Sequence, residues 1–197
     1  MTDLVAGFDH EAQIALIKEL ADEFGTDPSN GGTNPDKILT GLQRYANTRG
    51  FELSRLELKT WRWVSAANKE YKTATKPDAG WMREAARNTD TVMLFNFGWY
   101  REGDDRYTRK GGHWVAVVGA GAENEFYVHN PLLPPATQTQ QTRLSLSLLN
   151  DDLTAAVDKG EVNLKGYYEG NGPGLPHGKK FKAILDAVLV FSVAKER

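Results

Sequence analysis

Residues 111–131 read GGHWVAVVGAGAENEFYVHNP, and this stretch decides how the chain is understood. Two runs rich in β-branched and aromatic residues, 113–118 and 125–130, flank the turn-prone GAGAEN. That pattern predicts a β-hairpin. With the turn centred between Gly121 and Ala122, His113 stands directly opposite Asn130. Cross-strand partners hold their Cβ atoms about 4.5–5.5 Å apart, so an Asn oxygen can accept a proton from the imidazole. A slip of one residue would turn the two side chains to opposite faces. Gly111 and Gly112, just before the histidine, leave room for another segment to come close.

A base histidine oriented by an Asn is the supporting half of a Cys-His-Asn hydrolytic site. His113 would take the thiol proton, and Asn130 would hold the ring in one tautomer. The plainer interpretation is a strand-end histidine facing a polar neighbour, and a His-to-Asn spacing alone does not separate the two. There is no cysteine in the sequence, so it supplies no nucleophile of that kind, no disulfide and no thiolate metal site.

Working outward, 197 residues with 40% hydrophobic and 25% charged content suit a domain with a real core. A formal net charge of −2 with scattered Lys and Arg argues against nucleic acid as a partner. No apolar run reaches the length of a transmembrane segment. The opening MTDLVAGFDHEAQ shows neither the basic nor the apolar region of a signal peptide, and the compartment stays unknown.

Helical periodicity runs over residues 9–24, with Asp9 as N-cap and Gly25 after the last turn. A second helix is expected after Asn34, with Pro35 in its first turn and Gly50 ending it. Residues 51–64 read as extended, and Pro77-Asp78 opens a short helix through Arg87. TVMLFNFGWY, residues 91–100, reads as a strand, and 101–110 as a polar loop. Further on, the pattern predicts a strand in LSLSL, a short helix near 151–157, a surface loop in EGNGPGLPHG and a buried strand over 187–193. The fold class is therefore α+β in one domain, 1–197, with 1–90 mainly helical and 91–197 mainly β.

Other signals are weaker. Thr2 would become an N-terminal threonine if Met1 were removed, but an ordinary second residue is by far the plainer reading. GAGAEN lacks the Lys-Ser/Thr and following helix of a phosphate loop. His113, His129 and His177 could form a zinc set with a carboxylate. However, His129 and Asn130 are adjacent in a strand and point to opposite faces. No metal and no cofactor are assigned. The tryptophans at 61, 63, 81, 99 and 114 read as core and groove walls.

Gly98-Trp99-Tyr100, the polar loop, GGHWVAVVG and YVHNP together resemble the C-terminal half of papain-like cysteine peptidases of the bacteriocin-processing type. The segment LADEFGTDPSNGGTNPDKILTGLQRYANTRG resembles the helical lobe of a bacterial branch of that family. The resemblance spans residues 14–131 and the terminal strand. It implies a papain-like α+β fold, an N-terminal helical part followed by an antiparallel sheet, with a peptide or protein as substrate. It makes His113 the catalytic base and Asn130 its orienting residue. The family's nucleophile helix, with its Cys and preceding Gln, has no counterpart here. The resemblance thus implies a domain entered late and inactive alone. The alternative is a non-catalytic papain-fold module that binds a peptide or partner. Loss of a central helix would expose an apolar groove of several hundred Å², inviting self-association.

Overall fold

The computed structural model describes residues 10–27, 29, 32–134, 141–157, 160–176, 178 and 180–195. Asp9, Thr2 and His177, each named above, lie outside the described residues. Two helix starts are set by side-chain caps, Asn34 and Asp78. α1 spans His10–Glu23, and Gly25 follows it at φ 54°. α2 spans Pro35–Thr48 after Asn34, whose side chain accepts from the Lys37 N–H. Gly50 follows at φ 67°, a backbone conformation that suits glycine. α3 spans Ala79–Arg87, capped by Asp78, which accepts from the Trp81 N–H.

The strands are β1 (Phe51–Thr60), β2 (Lys72–Ala74), β3 (Val92–Glu102), β4 (Tyr107–Ala120) and β5 (Glu125–His129). They continue with β6 (Thr142–Leu148), β7 (Thr154–Val157), β8 (Gly160–Asn163), β9 (Tyr168–Asn171) and β10 (Phe181–Lys195). Six of them close a ring in the order β3-β4-β5-β6-β9-β10 and back to β3. β1 and β2 extend from β10, and β7 and β8 extend from β4. This overturns the expected papain-like α+β fold. The protein is mainly antiparallel sheet, 46% strand against 24% helix, built on a closed six-stranded barrel with four added strands. Closure depends on the long-range pairing of β10 with β3, which joins strands about 80 residues apart and is not revealed by local sequence patterns.

Inward-facing residues alternate along each strand, as a barrel requires. Met93, Phe95 and Phe97 of β3 meet Val115 of β4, Phe126 and Val128 of β5, and Leu144 and Leu146 of β6 in one buried cluster. Phe95 packs edge-on against Phe97 and Phe126, with ring centroids 6.0 and 5.1 Å away. Burying each such side chain contributes about 1.5–3 kcal/mol. Outside the barrel, Ile38, Leu39 and Leu42 of α2 cover Leu58, Ala187 and Leu189. A third cluster joins Tyr100, Tyr167 and Ile184 to Ala155 of β7.

Three local expectations are corrected. Most of the predicted polar loop 101–110 is strand, because β3 runs to Glu102 and β4 begins at Tyr107. The expected helix near 151–157 is β7, which pairs with β4 and β8 and buries Ala155. The surface loop EGNGPGLPHG begins as β9, pairing with β6.

Two strands change partners along one edge. β10 pairs with β9 at Ile184 and with β1 from Ala187 onward, and the bulge between them falls at Asp186. β4 pairs with β7 at Tyr107 and Thr108 and with β5 from Ala116. Between those contacts its edge carries residues 109–115, and His113 lies there.

Candidate functional site

His113 and Asn130 meet. The imidazole Nε2 lies 2.8 Å from Asn130 Oδ1. The pairing differs from the one expected. Ala116 stands opposite His129 and Val117 opposite Val128, which moves the turn towards the C-terminus. Asn124 adopts φ 53° at the turn, and Gly121 and Glu125 close it through backbone bonds. In this register His113 and Asn130 are diagonal neighbours, still within reach of long side chains. Both continue the inward-facing rows of the barrel, past Val115 and Val128, at one of its ends.

Asn130 is 1% exposed, and its amide orientation is fixed from three sides. Its Oδ1 also accepts from the Leu132 N–H at 3.0 Å, and its Nδ2 donates to the Pro173 carbonyl at 3.0 Å. With Oδ1 held as an acceptor, Nε2 of His113 must carry the proton, and Nδ1 keeps the lone pair. Burial pushes the imidazole below its ordinary value of 6.5, opposed by the Asn130 bond, which draws it up. The ring is neutral at pH 7 with Nδ1 as its basic atom.

The backstop for Asn130 comes from the loop after β9, which the sequence pattern predicts only as a surface loop with no role in the site. A Cβ on Gly174, at φ 80°, would lie 2.7 Å from Asn130 Nδ2. Buried Leu175 anchors that loop in the barrel core. The signal was the GPG run at 172–174, in which glycines flank the proline that supplies the acceptor carbonyl.

His113 borders a cavity of about 760 Å³ between β4 and the start of α2. Its walls include Thr33, Asn34, Lys37, Asn96, Arg109 and Lys110. They are polar and basic. Trp114 turns away from His113 and joins the α2 cluster, and its Nε1–H donates to the Thr33 carbonyl at 2.9 Å. That bond fixes the rim of the cavity. Gly112 is where a close approach occurs: an added Cβ would lie 2.5 Å from Arg109 Nη2.

Arg109 is held by a fully buried carboxylate. Its Nε–H donates to Asp186 Oδ2 at 2.7 Å. Asp186 Oδ1 accepts from the Tyr100 hydroxyl at 2.7 Å and from Trp61 Nε1–H at 3.1 Å. Burial, then the Asp186 charge and hydrogen bond, raise the Tyr100 hydroxyl far above its ordinary range, so it stays protonated and donates. Breaking such a buried pair from one side typically costs about 3–5 kcal/mol.

Among the described residues no group of three or more His, Cys, Asp or Glu side chains could hold a metal ion, and no helix is long and apolar enough to cross a membrane. His129 lies on β5 beside Ala116, on the face opposite Asn130. Comparison with protein-family models, with curated proteins and with solved structures finds no match to this protein.

Proposed function

We propose that this protein holds the proton-accepting half of a cysteine-peptidase-type site that acts on peptide bonds. His113 is the base, through Nδ1, and Asn130 orients it. The 197 residues contain no cysteine, so the thiol would have to be supplied from outside them, and without it no cysteine chemistry takes place. The observation that carries this reading is the three-sided fixation of the Asn130 amide, which sets one tautomer on a neutral histidine beside a cavity. A second reading, a non-catalytic module that binds a peptide or partner, is favoured by the absence of any cysteine.

The cysteine-free background gives a direct test. Single cysteines are placed in the cavity wall at Thr33, Asn34 and Lys110, and each thiol is titrated by its alkylation rate. An ordinary thiol ionises near 8.5. The base reading expects at least one of them to ionise a unit or more lower, and the shift to vanish with His113→Gln. Thiols that titrate identically with and without His113 would leave the binding module as the better account.

A further inference from the structure

The cavity beside His113 concentrates positive charge in a protein whose formal net charge is −2. Lys37, Arg62, Arg109 and Lys110 all line it. The acidic residue of the wall, Asp27, accepts from the Ser29 N–H and hydroxyl at 3.0 and 2.6 Å. Lys37 Nζ donates to the Gly25 carbonyl at 2.9 Å, which fastens it to the loop that forms the rim.

Arg109 differs from a mobile surface cation. Its side chain is 11% exposed, and its Nε is committed to buried Asp186. Among the described residues its guanidinium makes its hydrogen bond through Nε. The guanidinium is therefore held in place before any ligand arrives, and as part of the cavity wall it has N–H donors beyond Nε to offer a second carboxylate. Pre-ordering removes much of the entropic cost of fixing a long side chain on binding.

A second feature lies in the same wall. Asn96 is 2% exposed, and its Nδ2 donates to the His113 carbonyl at 3.4 Å. Among the described residues its Oδ1 is buried without a hydrogen-bond partner. An unpaired buried acceptor costs about 1–3 kcal/mol, and a donor from a ligand would recover part of that. A peptide bearing a carboxylate offers both groups required, an anionic oxygen pair and backbone N–H donors.

We infer that this cavity is a recognition site for an acidic peptide segment, with the carboxylate received by Arg109, the surrounding charge supplied by Lys37 and Lys110, and Asn96 Oδ1 accepting a peptide N–H. The inference rests on the peptide-directed reading of the His113 face and adds the substrate class. The carboxylate belongs to an Asp or Glu side chain or to the C-terminus of a peptide.

The test is calorimetric titration of the full-length protein with a capped hexapeptide of alternating Glu and Gly. Its Gln isostere and an uncapped Gln version with a free C-terminal carboxylate serve as the other arms. The capped Glu peptide is expected to bind at least tenfold more tightly than the capped Gln peptide, and the difference should shrink in 0.5 M salt. Tight binding of the uncapped Gln peptide instead would identify a terminal carboxylate as the ligand. Arg109→Lys keeps a charge beside Asp186 but loses the planar fork, and should weaken binding about tenfold. Lys37→Gln with Lys110→Gln leaves the Asp186 cluster intact and should weaken it at least fivefold. Equal affinity for all three peptides, or affinity unmoved by the double lysine variant, overturns the inference. Because no thiol takes part, binding can fail while the wall cysteines still show a His113-dependent shift, and the reverse.

Discussion

At the scale of one residue, His113 makes stability depend on pH in an uncommon direction for histidine. Burial lowers its folded-state value below 6.5, so the unfolded state takes up a proton at higher pH than the folded state does. Above that value both states are neutral and the group is silent. As pH falls below 6.5, the unfolded state binds the proton first and stability is lost, until the folded imidazole protonates as well. His113→Gln should flatten this part of the curve: the drop in melting temperature between pH 7 and pH 5 should be smaller in the variant than in the parent. An equal drop would place the acid sensitivity elsewhere. The identity of His113 and Asn130 was legible in the sequence, since the hairpin residues announce a strand pair with polar ends. Their geometry was not. The left-handed Asn124 moves the turn, and the support from Pro173 comes from a loop 43 positions away in sequence.

At the scale of the element, β3 shows how tightly backbone and buried charge are fitted. A Cβ on Gly98 would lie 2.1 Å from Asp186 Oδ2 and 2.7 Å from the Tyr100 ring. On Gly119 of β4 the nearest atom would be 3.6 Å away, an ordinary contact. Gly98→Ala should therefore destabilise the protein by about 1–3 kcal/mol or more through overpacking against a fixed ion pair. Gly119→Ala should be neutral, or gain up to about 1 kcal/mol from reduced unfolded-state freedom. The midpoints of urea unfolding separate the two. Helix ends were readable because a cap is local chemistry: Asn34 and Asp78 bond N–H groups three residues ahead. The TAAV of β7 was not, since the alanines that favour a helix are held extended here by β4 on one edge and β8 on the other.

For the whole molecule, the barrel has one thin seam. β3 pairs along its length with both β4 and β10, whereas β9 joins β10 through the single register pair of Ile184 with Glu169. The Lys182–Glu169 ion pair at 2.7 Å supports that junction. Local opening should begin at this seam. Hydrogen exchange should find the β9 amides at least tenfold less protected than those of Phe95 and Phe97. Uniform protection around the ring would mean that the barrel opens only as a unit. No strand pattern foretold the ring, because strand alternation specifies which face is buried and leaves the partner unnamed.

β10 lies beside β1, β3 and β9, and it is the last of these strands in sequence order. On a ribosome, β1 is finished about 130 residues before its partner residues on β10 are added. At a synthesis rate of about 5–20 residues per second, β1 waits roughly 6–25 s with that edge unpaired. The β3 edge that β10 covers is finished about 80 residues before β10 begins, and waits roughly 4–16 s. A helper protein that shields the β1 and β3 edges during translation would act in that window and lose its hold on them once β10 has emerged.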